Sequence, residues 1–110
     1  MTRFMLSLLF VGALLQAGTD AGVRAYMKLC KKCHGPAYNG TTMKTADEWR
    51  TLFADEDKEL LSVHRGSEQA IKKLTSSYYK NRRKYLMPFL IDYASDSGTL
   101  PFDPSSCSRW

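Results

Sequence analysis

Two cysteines and a histidine form the cluster in this sequence that is best suited to chemistry. They stand in the stretch Cys30-Lys31-Lys32-Cys33-His34. On a helix, residues three positions apart lie on the same face, so both thiols can reach the vinyl groups of one porphyrin. The imidazole that follows can then reach its metal, since histidine is an established axial ligand of haem iron. The C-x-x-C-H spacing therefore predicts one covalent haem c, with thioethers to Cys30 and Cys33 and with His34 as the proximal iron ligand.

The N-terminus has the pattern of a secretory signal peptide, since Arg3 precedes an uninterrupted apolar run over 4–15. This run is shorter than the about 20 residues that a spanning helix needs, so no stable membrane insertion is expected. The predicted signal peptide is 1–17, with cleavage somewhere in 17–21, and an uncleaved signal that tethers the protein to the membrane is the alternative. The expected localisation is periplasmic, which suits haem attachment because this takes place outside the cytoplasm.

The rest of the chain is expected to form one small domain over 18–95, followed by an extended tail over 96–110. Loss of 1–17 from 110 residues leaves 93, a length that buries only a limited core and benefits from a bound cofactor. The formal net charge of +5 is too small to indicate nucleic acid binding without a supporting motif. Cys107 is left as a thiol with no evident partner in the chain.

Apolar spacing predicts an all-α fold with no strands. Helices are predicted over 20–33, from a capping box at Thr45, over 58–64 after an acidic turn at 55–57, from an N-cap at Ser67, and from Pro88 at a first helical position. The stretch 35–40 carries turn residues and is predicted to be a loop.

The residues before the cysteine pair extend the pattern. Gly22, Tyr26 and Cys30 give G-x-x-x-[FY]-x-x-x-C-x-x-C-H-G, which resembles the first helix of class I c-type cytochromes. The resemblance implies a small cytochrome c-like domain of about four to five helices around one haem. It also implies that Gly22 and Tyr26 pack against an aromatic of the last helix, for which Tyr93 is placed, and that the carbonyl of Pro36 accepts a hydrogen bond from the proximal imidazole. A simple loop role for Pro36 is equally open.

Three residues are candidates for the sixth ligand of the iron. The resemblance favours Met87, which stands in a Met-Pro pair well after the attachment motif. His64 is the competing candidate because it shares an apolar helical face with Leu60, and Met43 is a remote third. A buried histidine or a gap-filling methionine without any iron is the alternative for each. If the position is open, a haem sensor or peroxidase becomes the expectation.

The resemblance implies a one-electron carrier rather than an enzyme, working between redox partner proteins. Lysines around the motif, Lys28, Lys31 and Lys32, favour partners with acidic docking faces. A haem-bearing subunit of a larger redox complex is the alternative within the same class. Two interpretations from other classes are a structural zinc site, made by the cysteine pair with one histidine and Cys107, and a dithiol oxidoreductase.

Overall fold

The computed structural model describes residues 19–101. Every regular element in this range is a helix, and no strand is present within it, which confirms the all-α prediction. The helices are α1 over 19–29, α2 Lys31–His34, α3 Ala37–Thr41, α4 Ala46–Val63, α5 Glu68–Leu74 and α6 Ser77–Asp92. The predicted signal peptide, Cys107 and most of the predicted tail lie outside the described residues.

Helix starts follow the caps in the sequence. Thr45 accepts the backbone N–H of Glu48, and the Glu48 carboxylate accepts the N–H of Thr45, so the predicted capping box at the start of α4 is confirmed. Ser67 accepts the N–H of Ala70 and begins α5, as predicted. Ser76 accepts the N–H of Tyr79 in the same way and begins α6.

Three predicted boundaries are wrong, and the described residues hold six helices rather than four to five. The helix predicted over 20–33 divides at Cys30 into α1 and α2. The predicted loop over 35–40 contains α3, because Gly35, at a φ of +80°, ends α2 and Pro36 restarts the chain in helix. Pro88 lies inside α6, since the cap at Ser76 starts that helix much earlier and buried residues follow the proline.

α1 and α6 cross where a glycine meets an aromatic ring. An added Cβ on Gly22 would lie 2.5 Å from the Cβ of Phe89 and 2.9 Å from the carbonyl oxygen of Tyr85. The ring of Tyr26 lies 6.3 Å from that of Phe89, which in turn lies 5.3 Å from Tyr93. The aromatic partner of α1 is therefore Phe89, one turn before the expected Tyr93, which contacts Phe89 in turn.

The close contact at this crossing predicts that a larger side chain at Gly22 lowers the stability of the fold. Gly22→Ala should destabilise the fold by about 1–3 kcal/mol because the new methyl group overpacks a helix contact. Gly66→Ala is the matched control, since its Cβ would meet nothing within 4 Å. Urea unfolding of the two variants beside the parent chain measures the difference. Equal midpoints for Gly22→Ala and Gly66→Ala would show that the helices do not meet at this glycine.

α4 is interrupted at the predicted acidic turn. Its backbone leaves the helical region from Ala54 to Asp57, and Asp55, Glu56 and Asp57 all have φ between 55° and 63°. Three successive left-handed residues without a glycine are unfavourable, by about 1–2 kcal/mol each. The chain therefore needs compensating contacts at this turn.

Asp57 supplies those contacts by pairing with α6. Its carboxylate accepts a hydrogen bond of 2.7 Å from the Tyr79 hydroxyl and bonds of 2.8 and 3.0 Å from Nε of Arg83. Arg83 also donates from Nη2 to the carbonyl of Phe53, at 2.7 Å. Burial and the Asp57 carboxylate raise the pKa of Tyr79, so its hydroxyl remains a donor at neutral pH. The left-handed turn is thus fixed against α6.

None of the helices described between residues 19 and 101 has the length and hydrophobicity that a membrane span requires.

Candidate functional site

A cavity of about 420 Å³ opens between α1, α4, α5 and α6. This volume falls in the range typical of small-molecule and cofactor sites. Its walls are mainly apolar, and the core side chains that form them include Leu29, Trp49, Leu52, Phe53, Leu86 and Leu90. An apolar cavity of this size is suited to a hydrophobic ligand.

All three residues of the predicted attachment site line this cavity. Cys30 is half-buried, Cys33 is exposed, and neither forms a disulfide. Burial raises the pKa of the Cys30 thiol to about 12, an effect that the charge of Lys73 partly offsets. His34 lines the same cavity from the last position of α2. The structure therefore brings together the two thiols and the imidazole that the sequence singled out.

Local hydrogen bonds fix the shape of the motif. The N–H of Cys30 donates to the carbonyl of Tyr26 at 2.8 Å, and the N–H of His34 donates to the carbonyl of Cys30 at 3.0 Å. The Tyr26 hydroxyl donates to the carbonyl of Gly35 at 2.8 Å and lies 3.3 Å from that of Pro36. Tyr26 thereby ties the end of the motif to α1. An added Cβ on Gly40 would clash with the Tyr26 ring, so α3 must also pass close to this tyrosine.

The carbonyl of Pro36 has several donors other than histidine. It accepts the N–H groups of Asn39 at 2.9 Å and Gly40 at 3.2 Å, in addition to the Tyr26 hydroxyl. Within residues 19–101 the structure gives no hydrogen bond from the His34 ring to this oxygen. Pro36 is the N-cap of α3.

Two imidazoles face the cavity within a short distance of each other. The ring centres of His34 and His64 lie 6.0 Å apart, with their planes at 89°. Nδ1 of His64 donates to the carbonyl of Leu60 at 2.7 Å, because a carbonyl can only accept. Burial, followed by the nearby His64, lowers the pKa of His34, which favours the neutral ring that metal binding requires.

The other two ligand candidates occupy different places. Met87 of α6 is half-buried against the core, but it is not among the residues that line the cavity. Met43, in the turn after α3, does line the cavity and is 45% exposed. The structure thus brings His64 and Met43 to the cavity and leaves Met87 outside it.

No protein-family model, no characterised protein and no solved structure matches this chain.

The sequence did not predict two lysines that lie at the cavity. Lys44 and Lys73 line the cavity, from the turn before α4 and from α5. No motif marks either residue, and each stands in a stretch that looks like an ordinary solvated surface. Only the packing of α5 against the motif reveals that positive charge borders the apolar cavity.

The geometry gives little support to the two alternatives from other classes. The part of the chain between residues 19 and 101 contains no group of three or more Cys, His, Asp or Glu side chains that could hold a metal ion. The zinc interpretation also needs Cys107, which lies outside the described residues. Burial raises the pKa of the Cys30 thiol, which disfavours the thiolate that a dithiol oxidoreductase uses.

Proposed function

We propose that this protein is an exported c-type cytochrome that carries single electrons between periplasmic redox partners. The strongest support is that the cysteines and the histidine of a C-x-x-C-H motif line an apolar cavity of about 420 Å³. The motif alone is short and occurs in unrelated proteins. A motif whose cysteines and histidine all border a cavity of cofactor size has a physical reason for its spacing.

The residues around the cavity fit a covalently bound haem. Cys30 and Cys33 would hold the macrocycle through thioethers, and His34 would bind the iron from one side. The apolar walls match the hydrophobic face of the ring. Lys44 and Lys73 provide positive charge for its propionate carboxylates. When bound, the haem supplies an iron that alternates between the ferric and ferrous states.

The chain itself contributes anchoring, exclusion of water and access for partners. Leucine and aromatic side chains make the walls of the cavity apolar, which would help to set the potential of a bound iron. Cys33 is exposed, so the edge of the site reaches the surface there, where electrons can enter and leave. The exposed Lys28 and Lys32 flank this edge and would steer partners with acidic faces.

The mass of the exported protein tests this proposal. When the full chain is expressed in a host with cytochrome c maturation machinery, we expect a red product whose mass equals the processed chain plus one haem. The haem should remain with the polypeptide after extraction with acidified acetone, because thioethers resist it. A colourless product with the mass of the bare processed chain would contradict the proposal.

A further inference from the structure

We propose that His64 is the second axial ligand of the iron, so that the haem lies between two imidazoles and works at a lower potential than a histidine–methionine cytochrome. This inference rests on the proposed function, since it needs a haem at Cys30 and Cys33. It adds the identity of the ligand and the class of partner to that function.

The first support is the spacing of the two rings. Imidazoles that bind one metal ion from opposite sides have ring centres about 6 Å apart, since each metal–nitrogen bond is about 2 Å and the nitrogen lies about 1 Å from its ring centre. The observed separation of His34 and His64 is 6.0 Å. The pair therefore has the spacing that one shared iron requires.

The second support is the hydrogen bond of the His64 ring. Donation from Nδ1 to the carbonyl of Leu60 fixes the tautomer and leaves the lone pair on Nε2. Histidines that bind metals almost always donate their other N–H in this way. Nε2 therefore carries the free lone pair of a ring that borders the cavity.

The third support is the rigid backbone that carries His64. Its N–H donates to the carbonyl of Leu61 at 3.2 Å, and its own carbonyl accepts the N–H of Ser67 at 2.9 Å. His64 thus joins the end of α4 to the N-cap of α5. His64 lies in the short turn between these helices, and these two hydrogen bonds hold its backbone to the end of one and the start of the other.

The orientation of α6 argues against Met87. Leu86 and Leu90, four residues apart, occupy the face of α6 that lines the cavity. Met87 is one residue further on, and one residue turns an α-helix by about 100°. Its thioether therefore lies to the side of the cavity, half-buried against the core. Met43 does border the cavity, but its side chain is 45% exposed and no hydrogen-bonded ring fixes its orientation as in His64.

Ligation of the iron by two imidazoles would determine which redox partners the protein can use. A thioether ligand raises the potential of a c-type haem relative to a second histidine. With His64 in place, the protein would exchange electrons with low-potential donors and acceptors. It would bind no small molecule at the iron, because both axial positions are occupied.

Spectroscopy of the haem-loaded protein tests the assignment. The ferric parent protein should be low-spin and lack the near-infrared sulfur–iron band. His64→Ala should become high-spin, bind carbon monoxide when reduced, and recover a low-spin spectrum with added imidazole. Met87→Leu and Met43→Leu are the controls and should keep the parent spectrum. His64→Met, if it places sulfur on the iron, should raise the reduction potential.

The outcomes separate this inference from the proposed function. A sulfur–iron band in the parent protein that disappears in Met87→Leu or Met43→Leu would overturn the assignment of His64 and leave the cytochrome proposal intact. A low-spin spectrum that survives His64→Ala would do the same. A chain without the mass of a haem would instead overturn the proposed function, and the ligand assignment with it.

Discussion

If the protein carries a haem, as proposed, we expect the chain without it to lose its cooperative fold. We expect the double variant Cys30→Ala/Cys33→Ala, which cannot form thioethers, to lose most of its helical circular dichroism and to be degraded rapidly by proteases. The reason is the cavity of about 420 Å³ that the core side chains line. Without a cofactor, these apolar walls face water, and the small domain loses the burial of hydrophobic surface that the ring would add.

Cys107→Ser is the matched control for this experiment. This variant removes a thiol outside the C-x-x-C-H motif. The proposed haem and the helical circular dichroism should therefore be retained. Thermal unfolding measured by circular dichroism gives a midpoint and a cooperativity for each variant, and these can be compared directly. If the double variant unfolded with the same midpoint and cooperativity as the parent protein, the cavity would not be a haem site, and the proposed function would lose its main support.

The second large effect is expected at the left-handed turn of α4. Asp57→Ala removes the acceptor for Tyr79 and Arg83 and leaves a half-buried guanidinium without its carboxylate. Breaking such a pair costs about 3 kcal/mol, and the strained turn loses the contacts that hold it in place. Urea unfolding of the haem-loaded protein should therefore show a much lower midpoint for Asp57→Ala.

Glu56 provides the control within the same turn. It has almost the same φ, 56°, but its side chain is exposed and forms no hydrogen bond or ion pair with other residues between 19 and 101. Glu56→Ala should change stability little, and Glu56→Gly should stabilise the fold by about 1 kcal/mol because glycine adopts positive φ without strain. If Asp57→Ala and Glu56→Ala behaved alike, the bonds from Asp57 to α6 would not support the turn.

Features that depend on neighbouring residues could be predicted from the sequence. The caps at Thr45 and Ser67 and the break at the acidic turn each depend on side chains within a few positions, and all three predictions are confirmed. The start of α6 could not be predicted in this way. Burial of Leu86, Phe89 and Leu90 holds the helix together across Pro88, and that burial exists only in the folded chain.

The same distinction between local and long-range determinants applies to the residues of the site. The cysteine pair and His34 lie within five residues, so local spacing is enough to bring them to one cavity. The aromatic partner of Tyr26 depends instead on how α1 crosses α6, and periodicity cannot distinguish Phe89 from Tyr93, one turn apart on the same stripe. His64 and Met87 both lie on apolar helices, and only the rotation of each helix decides which side chain enters the cavity.

The contact between Gly22 and Phe89 joins positions near opposite ends of the described chain. A polypeptide that emerges N-terminus first cannot make this contact until residue 89 has appeared. If a haem is attached as proposed, Cys30 and Cys33 would be accessible to the attaching enzymes before the two helices cross.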